Sequence, residues 1–223
     1  NNMKVICIGW NYPAHNTEMQ AKAPATPTVF CKPDSALLKQ NKSFYVPDFM
    51  GRIDYELELV IRIDRLGKGI AEKFASRYYT EVGLGIDFTA RDMQQQARQA
   101  GEPWDLCKGF DNSAAISEFY PLTDFGTIDN LHFRLDINGE TVQQGYTGDM
   151  LFKPDSIIAY VSRYYTLKIG DLLFTGTPSG VGAVKQGDRL QAYLEDKLLL
   201  DFEIKWNTLH FYCFLSVAFG QEF

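Results

Sequence analysis

The chain has 223 residues, enough to bury a sizeable core as one domain or as a domain with an extension. Its 22 Lys and Arg stand against 28 Asp and Glu, a formal charge of -6, and no basic run or cluster of basic and aromatic residues is present, which argues against nucleic acid as a partner. The four cysteines, Cys7, Cys31, Cys107 and Cys213, are scattered without a CxxC or a Cys/His zinc spacing, so reduced thiols in a cytoplasmic protein are expected.

Val5, Ile6 and Ile8 form a short apolar strand ending at Gly9. The apolar segment is too short for a secretory h-region, and no stretch of the chain approaches a membrane span. Trp10-Asn11-Tyr12 leads into Pro13, a residue suited to the first turn of a helix. That helix places His15 and Glu18 at i and i+3, on one face. A carboxylate there would orient the imidazole and raise its basicity, making a general base. The same spacing also describes an ordinary exposed pair. Residues 21–27 carry two prolines and few apolar anchors, as a hinge for a mobile segment would. Residues 28–31 read as the next strand, closed by Lys32-Pro33-Asp34-Ser35.

In residues 53–61 apolar and acidic positions alternate, the pattern of a half-buried strand. Asp54, Glu56 and Glu58 then share one face about 7 Å apart. This is either the wet side of an antiparallel strand or a cation site. The following strand, residues 80–87, puts Glu81, Gly83, Gly85 and Asp87 on one side. Its two glycines strip side chains from the face toward which Asp87 points, and glycine inside a strand often marks close approach of a ligand or another backbone. Glu56, Glu58 and Asp87 together suit a hard divalent cation, Mg2+ or its relatives.

Thr89 and Asp92 form a near capping box for a helix over residues 90–100, ended by Gly101 and Pro103. Arg91 and Gln94 fall in its first turn, where a guanidinium could clamp a carboxylate beside the positive helix end; an ordinary solvated face fits equally. Lys108 is embedded among Trp104, Leu106 and Phe110, placed either to stabilise an enolate or oxyanion or to snorkel to the surface. Residues 131–137 alternate up to Asn138-Gly139, a strong hairpin signal. Thr141 and Val142 begin the return strand, and Pro154 opens a helix ending near Tyr165. The turn-rich residues 176–182, with Thr177, can present N–H groups to an anion but lack the spacing of a P-loop or dinucleotide fingerprint. Residues 189–194 and 198–204 are the last strands. Short strands and glycine turns outnumber helices, so the class is α+β with a mostly β core. The apolar tail, residues 206–223, has no clear period and must pack on the core, bury at a subunit contact or stand as an appendage without function.

Several of these segments, in this order, resemble the fumarylacetoacetate hydrolase family, in its single-domain acylpyruvate hydrolase and 2-hydroxyhepta-2,4-diene-1,7-dioate isomerase branch. They are Gly9-Trp10-Asn11-Tyr12 with His15 and Glu18-Met19, Phe30-Cys31-Lys32-Pro33, Tyr55-Glu56-Leu57-Glu58-Leu59, Asp87-Phe88-Thr89-Ala90-Arg91-Asp92, Lys108-Gly109-Phe110 and residues 175–182. The resemblance implies a mixed β-sandwich roll with a few short helices as a catalytic domain over residues 3–205, usually a homodimer. It implies Mg2+ or Mn2+ at Glu56, Glu58 and Asp87, and His15 and Glu18 on a mobile lid that activates water. Lys108, Arg91, Gln94 and Thr177 match residues that hold the oxo-acid end of a substrate or its developing charge. Where the family often has Arg after Gly9, this chain has Trp10. The activity expected is metal-dependent hydrolysis of a carbon–carbon bond in an acylpyruvate-type 2,4-dioxo acid. Isomerisation of a 2-hydroxy-dienedioate and decarboxylation of oxaloacetate are alternatives on the same site. A relative without activity, its carboxylates holding a structural cation, is the alternative of another class; intact His15, Glu18 and Lys108 argue against it.

Overall fold

Val5–Gly9 and Leu172–Phe174 are apolar at consecutive positions, the pattern of strands buried on both faces, and they pair in parallel inside the largest sheet. The computed structural model describes residues 3–206. Its largest sheet runs in the order Thr28–Lys32, Val5–Gly9, Leu172–Phe174, Leu57–Ile63, Tyr79–Asp87, Ala114–Ile116 and Leu37–Leu38. A second sheet joins Glu140–Tyr146, His132–Ile137, Arg189–Leu194, Lys197–Trp206 and Phe44–Val46. The main core lies where Leu57, Leu59 and Ile61 meet side chains of the second sheet, among them Leu135, Leu190, Leu194 and Phe202. Short helices, Pro13–Glu18, Arg91–Ala100, Asp105–Lys108 and Pro154–Val161, complete an α+β domain of mixed sheets, the class expected from the chain.

The strand expected over residues 53–61 is divided at Glu56. Ile53–Tyr55 pairs with Thr89–Ala90 and Gly182–Ala183 in a third, small sheet, whereas Leu57–Ile63 joins the largest one. Nor is Leu57–Ile63 half-exposed. Val60 packs with Val5, Cys7 and Phe174 in a second apolar cluster on the other face. The wet-side explanation of the acidic row therefore fails: Glu56, Glu58 and Asp87 are 5%, 2% and 0% exposed.

The glycines of Tyr79–Asp87 mark close approach of packed side chains and, at Gly83, of the Glu118 backbone, rather than of a ligand. A Cβ on Gly85 would lie 2.5 Å from the Phe174 ring and 2.9 Å from Val60, and one on Gly83 would lie 2.8 Å from Ser117 Oγ. The capping box is also absent. Helix Arg91–Ala100 starts without a side-chain cap, because Thr89 is paired in a strand and its hydroxyl is taken by Lys108. At the other end Gly101, at φ 71°, closes the helix through its N–H to Ala97 O. Asn138 and Gly139, both at positive φ, make the expected tight hairpin. The helix opened by Pro154 stops at Val161, a turn earlier than its pattern suggests. Apart from Trp206, the tail lies outside the described residues. Among the described residues, no helix is long and apolar enough to cross a membrane.

Candidate metal centre

The break at Glu56 is what assembles the site. Leaving the small sheet, the chain turns Glu56 inward beside Glu58, and antiparallel pairing of Leu57 with Ile86 brings Asp87 alongside both. Asp87 N–H donates to Glu56 O at 2.9 Å, fixing the two strands at this point. One oxygen from each of Glu56, Glu58 and Asp87 can be chosen so that all three lie within 4.8 Å of one another.

Three buried cations hold Glu56 and Asp87. Lys108 Nζ donates to Glu56 Oε2 at 2.8 Å, Asp87 Oδ2 at 2.7 Å and Thr89 Oγ1 at 2.6 Å. Arg91 reaches Glu56 Oε1 through Nη2 (2.6 Å), Asp54 Oδ2 through Nε (2.8 Å) and Gln94 Oε1 through Nη1 (2.6 Å). Lys32 Nζ lies 2.7 Å from Asp87 Oδ1 and donates to Ser113 Oγ at 3.0 Å, with the Lys108 and Ser113 carbonyls also around it. The close Lys32–Asp87 approach is a charge contact out of line for a hydrogen bond, so Asp87 Oδ1 has none. Asp54 is neutralised further by Arg52, at 2.6 and 3.2 Å. Four buried carboxylates, Asp54, Glu56, Glu58 and Asp87, thus face three buried cations, Lys32, Arg91 and Lys108.

Among the described residues Glu58 is the one of these acids that pairs with no basic side chain. Burial, reinforced by Asp87 and Glu56, raises its pKa well above the ordinary carboxylate range, although Gly176 N–H donates to its Oε2 at 2.7 Å. For Glu56 burial acts in the same sense, but Lys108 and Arg91 outweigh it and hold the carboxyl well below that range. Burial disfavours the Lys108 ammonium, yet Asp87 and Glu56 more than offset this and keep it charged. An all-oxygen donor set, an Asp87 oxygen without a hydrogen bond and a Glu58 carboxyl with no basic partner among the described residues together fit a hard divalent cation of the Mg2+ or Mn2+ kind.

The carboxylates open into a cavity of about 310 Å³, mouth included. His15, Arg91, Gln94, Lys108 and Thr177 line it with them, so eight of the nine residues singled out in the sequence meet there. Glu18 does not line it. It stands behind His15, its Oε2 3.3 Å from Nδ1, and it accepts Gly180 N–H at 3.0 Å. His15 is buried and not the exposed residue of an ordinary surface pair. Thr177 is tied into the backbone, its hydroxyl donating to Leu57 O at 2.9 Å and accepting from Gln143 Nε2 at 3.0 Å. The remaining wall is mostly aromatic, Trp10, Phe30 and Trp104, with Ile8 and Gly9. Trp10 has φ 62°, a left-handed conformation that costs a bulky residue roughly 1–2 kcal/mol. Its ring stacks on His15, centroids 5.6 Å apart, and Asn16 Nδ2 donates to its carbonyl at 3.1 Å.

Lys32 and Gln143 have site roles that reading the sequence did not assign. Gln143 is buried and accepts Leu57 N–H at 2.9 Å while donating to Thr177 and to Pro178 O, so it fixes the link between Glu56 and Glu58. Nothing local marks it. Lys32 had a signal, a lone lysine closing an apolar strand, but not one that separates a buried lysine from a solvated one.

Residues 4–204 match the family model described as fumarylacetoacetate (FAA) hydrolase C-terminal. The chain belongs to the fumarylacetoacetate hydrolase family. Within it the relatives fall in the hydrolase and isomerase branch expected from the sequence. Oxaloacetate tautomerase YcgM of Escherichia coli (strain K12) is 39% identical over 84% of this chain and 86% of its own length. Mitochondrial oxaloacetate tautomerase FAHD1 of Bos taurus is 37% identical over 90% and 91%. Among solved structures, fumarylpyruvate hydrolase from Pseudomonas aeruginosa in complex with Mn2+ and pyruvate superposes with a TM-score of 0.87, at 33% identity, covering 92% of this chain and 91% of that one. The protein is an enzyme of this family.

Proposed function

We propose that this enzyme binds a divalent cation, Mg2+ or Mn2+, at Glu56, Glu58 and Asp87 and catalyses keto–enol tautomerisation of a small 2-oxo diacid, oxaloacetate in the first instance. The observation that carries the reading is that a carboxylate set fit for a hard cation shares one cavity with His15 and Lys108. The two tautomerases, similar over most of their lengths, support the substrate.

When bound, the cation would supply Lewis-acid polarisation of the 2-oxo group and of the enolate oxygen. The chain's own residues supply the rest. His15 is turned by Glu18 so that Nδ1 is engaged and Nε2 is the nitrogen free to exchange a proton with C3 of the substrate. In the enol-to-keto direction O2 loses its proton, C3 gains one, and the C2–C3 double bond becomes the C2 carbonyl. Lys108 keeps its charge beside the carboxylates and adds positive potential where enolate charge develops. Gln94 gives its oxygen to Arg91, which leaves its NH2 for the substrate carboxylate. Trp10 and His15 shield the reacting atoms from water.

A second reading, hydrolysis of an acylpyruvate carbon–carbon bond, is favoured by the likeness to the fumarylpyruvate hydrolase, with the His15–Glu18 pair activating water. Decarboxylation of oxaloacetate and isomerisation of a 2-hydroxy-dienedioate would use the same enolate. The deciding experiment follows enol oxaloacetate, oxaloacetate decarboxylation and acetylpyruvate in parallel, using chelator-treated protein with Mg2+ or Mn2+ restored, and the Glu56→Ala and His15→Ala variants. Metal-restored tautomerisation that both variants lack supports the proposal. Cleavage of acetylpyruvate without tautomerisation would replace it by the second reading. A homodimer in the cytoplasm is the assembly and location we propose, to be tested by sedimentation and by imaging of tagged protein.

A further inference from the structure

The Arg91–Gln94 pair separates the carboxylate cavity from a larger one of about 850 Å³, mouth included, which the same two residues line together with Arg52, Arg98 and Glu18. Positions 91, 94 and 98 stand at i, i+3 and i+7 of helix Arg91–Ala100 and share a face. Arg98 therefore lies one turn beyond Gln94. Helical side chains lean toward the N-terminus, so Arg98 leans back over Gln94 and the route out of the first cavity.

The three arginines here differ in what they already hold. Arg91 is committed to Asp54, Glu56 and Gln94, and Arg52 to Asp54. Among the described residues Arg98 pairs with no carboxylate; its guanidinium instead sits over the Trp10 ring, 4.9 Å from the centroid. The two acids on this wall are both engaged, Glu18 by Gly180 N–H and His15 and Asp54 by Arg52 and Arg91. A guanidinium laid on an indole is fixed in plane and keeps its N–H edge open, the arrangement that takes a carboxylate in bidentate fashion. Trp10 also lines the first cavity, so the same ring borders the reacting atoms and orients Arg98.

We propose that Arg98, seated on Trp10, is the binding group for a second carboxylate at the far end of the substrate, with the larger cavity as its subsite. The enzyme would then select 2-oxo acids with a distal carboxylate over 2-oxo monoacids. This rests on the oxo-acid reading of the first cavity. Binding to Mg2+-loaded protein is measured by calorimetry with pyruvate, which lacks a distal carboxylate, and with 2-oxoglutarate, which has one. Arg98→Met keeps the aliphatic stem and should weaken 2-oxoglutarate about tenfold or more, the loss expected for a charge-assisted pair. Pyruvate should change by less than about twofold, and Arg98→Lys should recover part of the 2-oxoglutarate affinity. Wild-type protein that binds both, with a variant that weakens neither or both alike, overturns the subsite and spares the oxo-acid reading. Wild-type protein that binds neither probe overturns both.

Discussion

Lys32→Met tests the charge balance of the centre most directly. Lys32 is 3% exposed, lies 2.7 Å from Asp87 Oδ1, and is ringed by the Ser113 hydroxyl and main-chain carbonyls. Methionine fills nearly the same volume, so packing changes little and the charge is what is lost. Without Lys32 the buried Glu56, Glu58 and Asp87 face only Arg91 and Lys108. Removing one partner of a buried pair costs about 3–5 kcal/mol. For a chain of this length each kcal/mol moves the melting temperature by roughly 2–4 °C, so metal-free protein should melt about 6–20 °C lower. A divalent cation among Glu56, Glu58 and Asp87 offsets the excess negative charge, so the Mn2+-saturated variant should lose distinctly less. The assay is thermal unfolding of both proteins, chelator-treated and Mn2+-saturated, at pH 8. A drop of under about 3 °C without metal, or the same drop in both forms, would show that Lys32 does not balance the site.

The raised pKa of Glu58 gives metal-free stability a definite sign. Between the ordinary carboxylate value and the raised one the folded state holds a proton that the unfolded state has released, so stability falls as pH rises through that window. Cation binding should expel this proton, seen by calorimetry as a binding enthalpy that follows the buffer's ionisation enthalpy; an enthalpy independent of buffer would refute it. Gly85→Ala should cost about 1–3 kcal/mol, because its methyl meets Phe174 and Val60, while metal affinity stays unchanged. Lost metal affinity at undiminished stability would restore the ligand-approach reading of that glycine. Gln143→Ala strips the Leu57 N–H of its acceptor and should cost about 1–3 kcal/mol while also weakening Mn2+ binding, since Leu57 spaces Glu56 from Glu58; unaltered binding would confine Gln143 to stability.

Alternation in residues 53–63 and 80–87 was enough to bring Glu58 and Asp87 to facing strands with Glu56 beside them, and helical spacing was enough to pair His15 with Glu18 and Arg91 with Gln94. The division at Glu56 left no mark, because neither glycine nor proline stands there and both sheets accept the same alternating pattern. It is imposed by partners distant in sequence, Thr89–Ala90 and Gly182–Ala183. The glycines misled for a related reason. A strand glycine signals close approach, and only the fold reveals that what approaches is the Phe174 ring. Lys32 and Gln143 act on residues 55 and 86 positions away, Asp87 and Leu57, beyond the reach of any local period.

Three acids at alternate positions of one short segment thereby come to do three different things. Asp54, carried into the small sheet, is neutralised by Arg52 and Arg91 and in turn aims Arg91 at Glu56. Glu56 is held ionised by Arg91 and Lys108. Glu58 receives a main-chain N–H from Gly176 and the distant charge of Lys108, which burial and the repulsion of its neighbours outweigh. The drive to take up a cation therefore resides mainly in Glu58, while Glu56 and Asp87, already fixed by lysine and arginine, contribute geometry. A substitution that fixes geometry less firmly, such as Lys108→Met, and one that removes the unbalanced charge, Glu58→Gln, should both abolish metal-dependent turnover but move metal-free stability in opposite directions. The first takes from Glu56 and Asp87 the cation they share, leaving each with one partner, Arg91 and Lys32, and the second relieves the crowding of acids.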